Sequence, residues 1–234
     1  MTTIDKILEA ATSFYDELRA DEHGRFESWE YCYKTFADAR KNNNPNLDLL
    51  SLNLAFYLAS WGMYRGSSFL LQKDYKIHIP AIALILKKEY DVLFGIKCCD
   101  LKKEENLSLL KNLYGKLTAY YKEIRSEVAE TEVLKDISET LITKILMGTL
   151  GCVPAYDRYF KSGLSLEGVG IQQYGNNSLI KVCEFYEKYN EELEMVRLNM
   201  NVAGLEYPQL KILDMGFWKI GFDADLSKGH SKSH

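Results

Sequence analysis

The sequence is poor in residues that break helices, and it lacks any long apolar run. Its 234 residues include four prolines and fifteen glycines, and no segment alternates apolar and polar residues as a half-buried β-strand would. The longest strongly apolar run, residues 79–86, contains Pro80 and is far shorter than the ~20 residues needed to cross a bilayer. These absences argue against an all-β fold, a disordered chain and a membrane partner.

Signatures of metal and nucleotide sites are also missing. No two of the five cysteines have CxxC spacing, the four histidines are scattered, and the adjacent Cys98 and Cys99 have no second pair to complete a zinc site. There is no Walker loop, GxSxG elbow or HExxH motif, and the GxG at Gly168 to Gly170 follows no predicted strand. We therefore expect no metal and no cofactor.

Charge and cysteine usage restrict the partners and the compartment. The formal net charge of −4 gives no overall attraction to nucleic acid, so any phosphate-binding surface has to be local. An odd number of cysteines without paired spacing is typical of reduced thiols. The start of the chain, MTTIDKILEA, is acidic and amphipathic, unlike a signal peptide. We expect a cytoplasmic protein, and the sequence does not indicate its oligomeric state.

Apolar residues recur at helical spacing along most of the chain, which predicts an all-α fold, an orthogonal array of about nine helices. The predicted helices cover 3–19, 26–41, 47–61, a segment from Ser67 or Ser68, 80–94, 104–128, the first half of 136–163, 178–200, and a last helix from Tyr207 and Pro208. The third of these is apolar nearly all round, which predicts burial on most sides.

The chain has no linker rich in proline or serine and no internal repeat. It is therefore predicted to form one domain over residues 1–228, or two lobes, 1–130 and 131–228, with a cleft between them. The polar end, residues 229–234, is expected to be a flexible tail.

One candidate binding segment runs from Trp61 to Ser68. It combines two glycines, Tyr64, Arg65 and the hydroxyls of Ser67 and Ser68, directly before a predicted helix start. Backbone N–H groups at such a start, next to an arginine, suit an anion such as a phosphate. The alternative is an interhelical turn in which the two aromatic side chains fill the core and the arginine pairs with a carboxylate.

A second candidate lies within residues 136–163. Its first half is a predicted buried helix that begins with a capping box, Asp136 and Glu139. Pro154 stops any continuing helix. The chain then continues as Tyr156-Asp157-Arg158-Tyr159-Phe160. One carboxylate therefore lies between two tyrosines and beside an arginine.

The order of helix, proline and aspartate over residues 137–160 resembles the helix-hairpin-helix DNA glycosylases. In that all-α superfamily a helix leads through a short turn with a proline to an essential aspartate at the mouth of a base-binding pocket. Some members also carry a nucleophilic lysine upstream. The matching residues are Val153-Pro154-Ala155-Tyr156-Asp157, followed by Arg158 and Tyr159, with Lys144 in the place of the lysine.

The resemblance implies a DNA glycosylase-like protein that hydrolyses or recognises the N-glycosidic bond of a flipped base in DNA, without a metal. Asp157 would stabilise the positive charge that forms on the sugar or activate water, and Lys144 would attack the sugar as an amine. Substrate contacts would come from Trp61, Tyr64, Arg65, Ser67, Tyr156, Arg158 and Tyr159.

Each of these residues also has a structural interpretation. Asp157 can be the N-cap of a short helix, Lys144 can be an ion-paired lysine with a buried stem, and the tyrosines can be core residues. The rival hypothesis is a non-enzymatic helical module. In that case residues 61–68, with the basic residues Lys73 and Lys76 after them, bind an anion or a partner.

Overall fold

The computed structural model describes residues 1–42, 44–128, 136–202 and 204–230. The protein is all-α, with 73% of it helical, which confirms the predicted fold class. The α-helices in the described ranges are α1 (Thr3–Ala20), α2 (Ser28–Arg40), α3 (Leu47–Ser60), α4 (Ile79–Ile85), α5 (Cys98–Leu101), α6 (Glu104–Val128), α7 (Glu139–Thr149), α8 (Arg158–Leu166), α9 (Asn176–Lys188), α10 (Asn190–Arg197) and α11 (Gln209–His230). Short 3₁₀ segments lie at Arg25–Glu27, Phe69–Gln72, Tyr75–His78 and Lys88–Leu93.

Two long predicted helices are divided in the structure. Residues 178–200 form α9 and α10, because Tyr189 between them has φ −119° and ψ 34°, outside the helical region. Residues 80–94 form α4 and then the 3₁₀ segment Lys88–Leu93. The apolar residues continue across both breaks, so the sequence pattern does not reveal them. The last helix, α11, extends to His230, and residues 231–234 of the predicted tail lie outside the described residues.

One pair of short strands interrupts the helical pattern before α11. β1 (Asn201–Val202) pairs antiparallel with β2 (Leu205–Glu206), and Gly204 between them has a φ of 78°. Each strand has two residues. That is too short to show an alternating pattern, so the sequence predicts no strand there.

The protein divides into two compact units, each built from separate stretches of the chain. The first unit contains Met1–Glu22, Gly95–Lys103 and Cys152–His234, and the second contains His23–Phe94 and Glu104–Gly151. No single cut in the chain, such as one at residue 130, separates them.

The first unit is organised around the close packing of α8 and α11. A Cβ atom at Gly163 of α8 would lie 2.0 Å from the carbonyl oxygen of Phe217, and a Cβ at Gly221 of α11 would lie 2.0 Å from that of Tyr159. Both glycines therefore let the two backbones approach more closely than any other residue would allow. Aromatic side chains fill the space beside this crossing, and Phe160 packs edge-on against Phe217 at 5.9 Å between ring centroids.

The second unit packs α2 and α3 against α7. The indole N–H of Trp29 in α2 donates to the carbonyl of Met147 at 3.1 Å. The ring of Tyr57 in α3 lies over Gly148, where a Cβ atom would be 2.5 Å from the ring. These contacts hold α7 in the core of this unit, where all its residues from Leu141 to Thr149 are buried.

The predicted burial of α3 on most sides is wrong for one of its faces. Leu49, Leu52 and Phe56 are about half exposed, and their spacing places them along one side of the helix. The opposite side is buried, with Leu50, Leu54 and three further hydrophobic residues inward. A helix that is apolar all round can still leave one side uncovered, because composition does not say how many neighbours pack against it.

Replacing Gly163 with alanine is expected to lower the free energy of unfolding by about 2 kcal/mol or more, because α11 leaves no room for the added methyl group. Gly115 in α6 is the matched control, since nothing lies within 4 Å of the position of its Cβ. Gly115→Ala should raise the free energy of unfolding by about 0.5–1 kcal/mol through helix propensity. Urea unfolding of both variants measures the difference, and a Gly163→Ala protein as stable as wild type would contradict the close crossing.

Candidate anion-binding site

Asp157 is the N-cap of α8. Its Oδ1 accepts the backbone N–H groups of Tyr159 at 3.0 Å and Phe160 at 3.1 Å, and its Oδ2 accepts the indole N–H of Trp218 at 3.2 Å. The residue is 9% exposed. A carboxylate at a helix N-terminus is stabilised by these donors and by the helix dipole. The structure thus gives Asp157 the capping role that is the alternative to catalysis.

The segment before Asp157 is held against α11 by a hydrogen bond to a buried, ion-paired carboxylate. One carboxylate oxygen of Asp214 accepts the N–H of Ala155 at 2.8 Å, and the other pairs with the ammonium of Lys211 at 3.0 Å. Burial raises the pKa of the Asp214 carboxyl, and the lysine and the backbone N–H oppose that rise. The hydrogen bond from Ala155 to this carboxylate fixes the path of the chain into α8.

The other predicted substrate contacts in the first unit are Tyr156, Arg158 and Tyr159, and each has a partner inside that unit. Tyr156 is completely buried, and its hydroxyl shares a hydrogen bond with Ser178 at 2.8 Å. Tyr159 packs edge-on against an indole and a phenyl ring of α11. Arg158 is exposed, lies over the ring of Tyr159 and pairs with Asp225 at 3.2 Å. These side chains are occupied by contacts within the unit.

Lys144 and Trp61, both predicted site residues, contact each other in the second unit. The ammonium Nζ of Lys144 donates to the carbonyl of Trp61 at 2.8 Å and lies 5.5 Å from the centroid of its ring. The lysine is 4% exposed, and the indole packs against Phe26 at 4.8 Å. Because carbonyls at a helix C-terminus attract cations, this lysine stabilises the end of α3.

α3 ends in a Schellman motif that sends the chain into residues 62–70. The N–H of Met63 donates to the carbonyl of Leu58 at 2.8 Å, and that of Gly62 donates to Ala59 at 2.9 Å. Gly62 has a φ of 76°, a conformation that favours glycine. The guanidinium carbon of Arg65 folds back to 3.4 Å from where a Cβ at Gly62 would stand. The missing side chain therefore makes room for the arginine.

A cavity of about 320 Å³ lies in the second unit beside this segment. It is lined by Gly62, Met63, Arg65 and residues 67–70, by Arg125 of α6 and by the start of α7 at Ser138. A second cavity of about 450 Å³ shares Ser67 and Arg125 with it. Of the residues predicted to bind substrate, the structure brings Arg65 and Ser67 together here.

Two arginines face this cavity. Arg125 donates to the carbonyl of Asp136 at 3.3 Å, and its guanidinium lies 5.9 Å from the ring centroid of Phe69. Arg65 is exposed. Within residues 1–42, 44–128, 136–202 and 204–230, neither guanidinium forms an ion pair with a carboxylate. The neighbouring Lys73, by contrast, pairs with Glu127 at 2.7 Å.

Serine hydroxyls complete the lining. Ser68 Oγ accepts the N–H of Leu70 at 3.4 Å, and Ser138 Oγ accepts the N–H of Leu141 at 3.3 Å as the N-cap of α7. The predicted capping box is therefore wrong, because Ser138 takes the capping position and Asp136 pairs with a lysine of α6 instead.

The helix predicted after Ser67 or Ser68 is the four-residue 3₁₀ segment Phe69–Gln72. So short a segment aligns too few peptide groups to attract an anion by its dipole. The positive charge at the cavity therefore comes from the side chains of Arg65 and Arg125.

A buried histidine lies behind this segment. His78 is 0% exposed, with its Nε2 at 2.8 Å from the hydroxyl of Tyr64 and its Nδ1 at 2.7 Å from the hydroxyl of Tyr121. Burial lowers the pKa of His78 to about 4. Burial, with a smaller contribution from Asp74, raises the pKa of Tyr64 to about 12. At neutral pH the ring is uncharged, so one nitrogen donates a hydrogen bond and the other accepts one.

Sequence reasoning did not identify Arg125, Ser138 or Tyr121 as site residues. Arg125 belongs to the charged face of α6, which has the pattern of an ordinary solvated surface. The signal that points to Arg125 is its position one helical turn after Tyr121. The side chain of Tyr121 is completely buried in the structure.

Within the described residues, no group of three or more His, Cys, Asp or Glu side chains is arranged to hold a metal ion. No helix in that part of the chain is both long and apolar enough to cross a membrane. Comparisons of the chain with protein-family models, curated proteins and solved structures found no significant match.

Asp157→Ala is expected to lower the free energy of unfolding by about 1–2 kcal/mol, because the start of α8 and the Trp218 N–H both lose their acceptor. Asp157→Asn should lose less, since asparagine keeps the capping oxygen but places an amide donor opposite the indole N–H. Thermal unfolding measures both. The same variants test the glycosylase hypothesis, which expects the wild type to release a base from DNA and Asp157→Asn to lose that activity while remaining folded.

The stability of the protein is expected to fall as the pH decreases from 6.5 to 4. The pKa of His78 is lowered from 6.5 to about 4 in the folded protein, so the unfolded chain binds the proton more tightly. Over this pH range the folded state therefore loses about 3 kcal/mol of stability relative to the unfolded chain. The stability difference between wild type and His78→Gln should therefore shrink as the pH falls. His23→Gln, at an exposed histidine, is the control. A pH-independent difference for His78→Gln would contradict the buried neutral ring.

Proposed function

We propose that this protein is a non-enzymatic helical binding module whose cavity between Arg65 and Arg125 takes a phosphate-bearing ligand. The observation that carries the proposal is that Arg65 and Arg125 line one cavity while, across the described residues, no carboxylate pairs with either guanidinium group. Two neighbouring positive charges repel each other, and an anion between them is attracted by both. Guanidinium groups also match the oxygens of a phosphate in geometry.

The lining favours a ligand that accepts hydrogen bonds. The hydroxyls of Ser68 and Ser138 each accept a backbone N–H, which leaves the hydroxyl proton for donation. Together with the guanidinium groups, these hydroxyls present donors to the cavity. A phosphate dianion has only hydrogen-bond acceptors. It can therefore accept from each of these donors, and it brings no donor of its own that would lack a partner.

The size of the cavity favours a small ligand that is larger than phosphate itself. The two volumes, about 320 Å³ and 450 Å³, lie in the range of small-molecule sites. Met63 and Leu141 add apolar surface to the first cavity. A nucleoside monophosphate or a sugar phosphate combines the required anion with a group that contacts this surface.

The glycosylase hypothesis depends on different residues. The carboxylate of Asp157 and the ammonium of Lys144 form hydrogen bonds within separate units. The support for the base-excision hypothesis is therefore the resemblance over residues 137–160. DNA also carries phosphates, and the cavity's arginines suit its backbone as well as a small ligand. We keep the cytoplasmic location as part of the proposal, because none of the five cysteines forms a disulfide bond.

Titration calorimetry with inorganic phosphate, adenosine 5′-monophosphate, adenosine and a short single-stranded DNA tests the proposal. We expect the monophosphate to bind and adenosine not to bind. Arg65→Gln and Arg125→Gln should each weaken binding about tenfold or more, since each removes a charge-assisted hydrogen bond. Arg158→Gln is the matched control, an exposed arginine in the other unit.

The proposal would be overturned if neither inorganic phosphate nor adenosine 5′-monophosphate bound at millimolar concentration. A loss confined to Arg158→Gln, with DNA as the ligand that binds, would instead favour the glycosylase hypothesis.

A further inference from the structure

His78 connects the two chain segments that carry the arginines of the cavity. Its ring lies between the hydroxyls of Tyr64 and Tyr121, at 2.8 Å and 2.7 Å. Tyr64 directly precedes Arg65 in the chain. Tyr121 lies four residues, one helical turn, before Arg125 on α6, so the two side chains project from the same face of that helix.

The segment that carries Arg65 has little regular structure to fix it. Beyond the Schellman motif at Gly62 and Met63, the chain as far as Phe69 is closed by one turn hydrogen bond, from the N–H of Ser68 to the carbonyl of Arg65 at 3.1 Å. Gly66 has a φ of 57° and nothing packs near its Cβ position. Tyr64 is the polar side chain of this segment that reaches a completely buried partner, His78.

The far end of the connection is rigid. Tyr121 is completely buried within α6, a helix of 25 residues, and burial raises the pKa of its hydroxyl well above the ordinary value. The hydroxyl therefore stays protonated and available as donor or acceptor. The hydroxyl of Tyr120, the neighbour of Tyr121 in α6, donates to the carbonyl of Ile77. This hydrogen bond fixes the backbone next to His78 against α6. His78 thus transmits the position of α6 to the irregular segment.

We infer that the Tyr64–His78–Tyr121 bridge positions Arg65 relative to Arg125, so that both guanidinium groups contact one phosphate. The inference rests on the proposed phosphate-binding function and assigns a positioning role to three residues that do not touch the ligand. Without the bridge, Arg65 remains charged and exposed, but its distance from Arg125 is no longer fixed. A phosphate then contacts one guanidinium well and the other poorly.

The test is the affinity for adenosine 5′-monophosphate of wild type, Tyr121→Phe and Tyr64→Phe, each of which removes one hydroxyl. We expect each variant to bind adenosine 5′-monophosphate about five- to tenfold more weakly, which corresponds to the net free energy of about one hydrogen bond. Tyr90→Phe is the matched control. Tyr90 is also completely buried in this unit, and its hydroxyl donates to Asn112 at 3.1 Å, outside the cavity lining. It should bind within twofold of wild type.

A double-mutant cycle separates positioning from a general loss of stability. In an Arg125→Gln background there is one guanidinium left, so Tyr121→Phe should have no further effect on affinity. A variant that only loosens the fold would weaken binding by the same factor in both backgrounds. If Tyr121→Phe fails to fold, Tyr64→Phe carries the same cycle from the half-buried end of the bridge.

The outcomes distinguish the inference from the function beneath it. Wild-type protein that binds, with Tyr121→Phe or Tyr64→Phe at wild-type affinity or with equal losses in both backgrounds, overturns the bridge and leaves the phosphate site standing. Wild-type protein that does not bind overturns the proposed function, and the bridge with it.

Discussion

The requirement that a buried polar group be paired decides which charged residues of this protein have a structural role. A polar group without a partner in the interior costs about 1–3 kcal/mol, and more if it is charged. Asp157, Lys144 and Asp214 are nearly inaccessible, and each is paired with backbone or side-chain groups inside its own unit. Their charges serve helix ends and the path of the chain.

The same requirement separates these residues from Arg65 and Arg125. An arginine that is exposed or partly exposed keeps its hydration, so it can remain without a carboxylate at little cost. That is why the proposed site, built from such arginines, costs the fold little stability. Chemistry by Asp157 would need its carboxylate to leave two helix N–H groups and an indole N–H.

The fold could be predicted from the sequence where the apolar period is long and uninterrupted. α6 has its predicted limits, Glu104–Val128, because its apolar residues keep helical spacing over the whole length. The break at Tyr189 could not be predicted, because apolar residues keep helical spacing through it. The 3₁₀ segment after Ser68 could not be predicted either, because the run Phe69-Leu70-Leu71 also fits the start of an α-helix. Where a helix ends inside an apolar stretch depends on packing that residues distant in sequence provide.

The candidate sites divide in a similar way. Arg65, Ser67 and Ser68 could be found from composition, because glycine, arginine and hydroxyl residues cluster in one turn. The capping role of Asp157 could be weighed from its own sequence, but the hydrogen bond from Trp218, 61 residues later, could not. Arg125 could not be found either, since its partnership with the 62–70 segment exists only in the folded unit.

The polar contacts of the second unit are graded in depth, and this gradation explains how an irregular segment can carry the proposed site. At the deepest level His78 must stay neutral, since burial disfavours its charged form. Its tyrosine partners extend from a rigid helix on one side to a half-buried turn on the other. The guanidinium groups lie beyond them, in contact with solvent. In the proposed site, the buried bridge of Tyr64, His78 and Tyr121 fixes the position of the irregular segment. The solvated arginines provide the positive charge, so no charged group has to be buried.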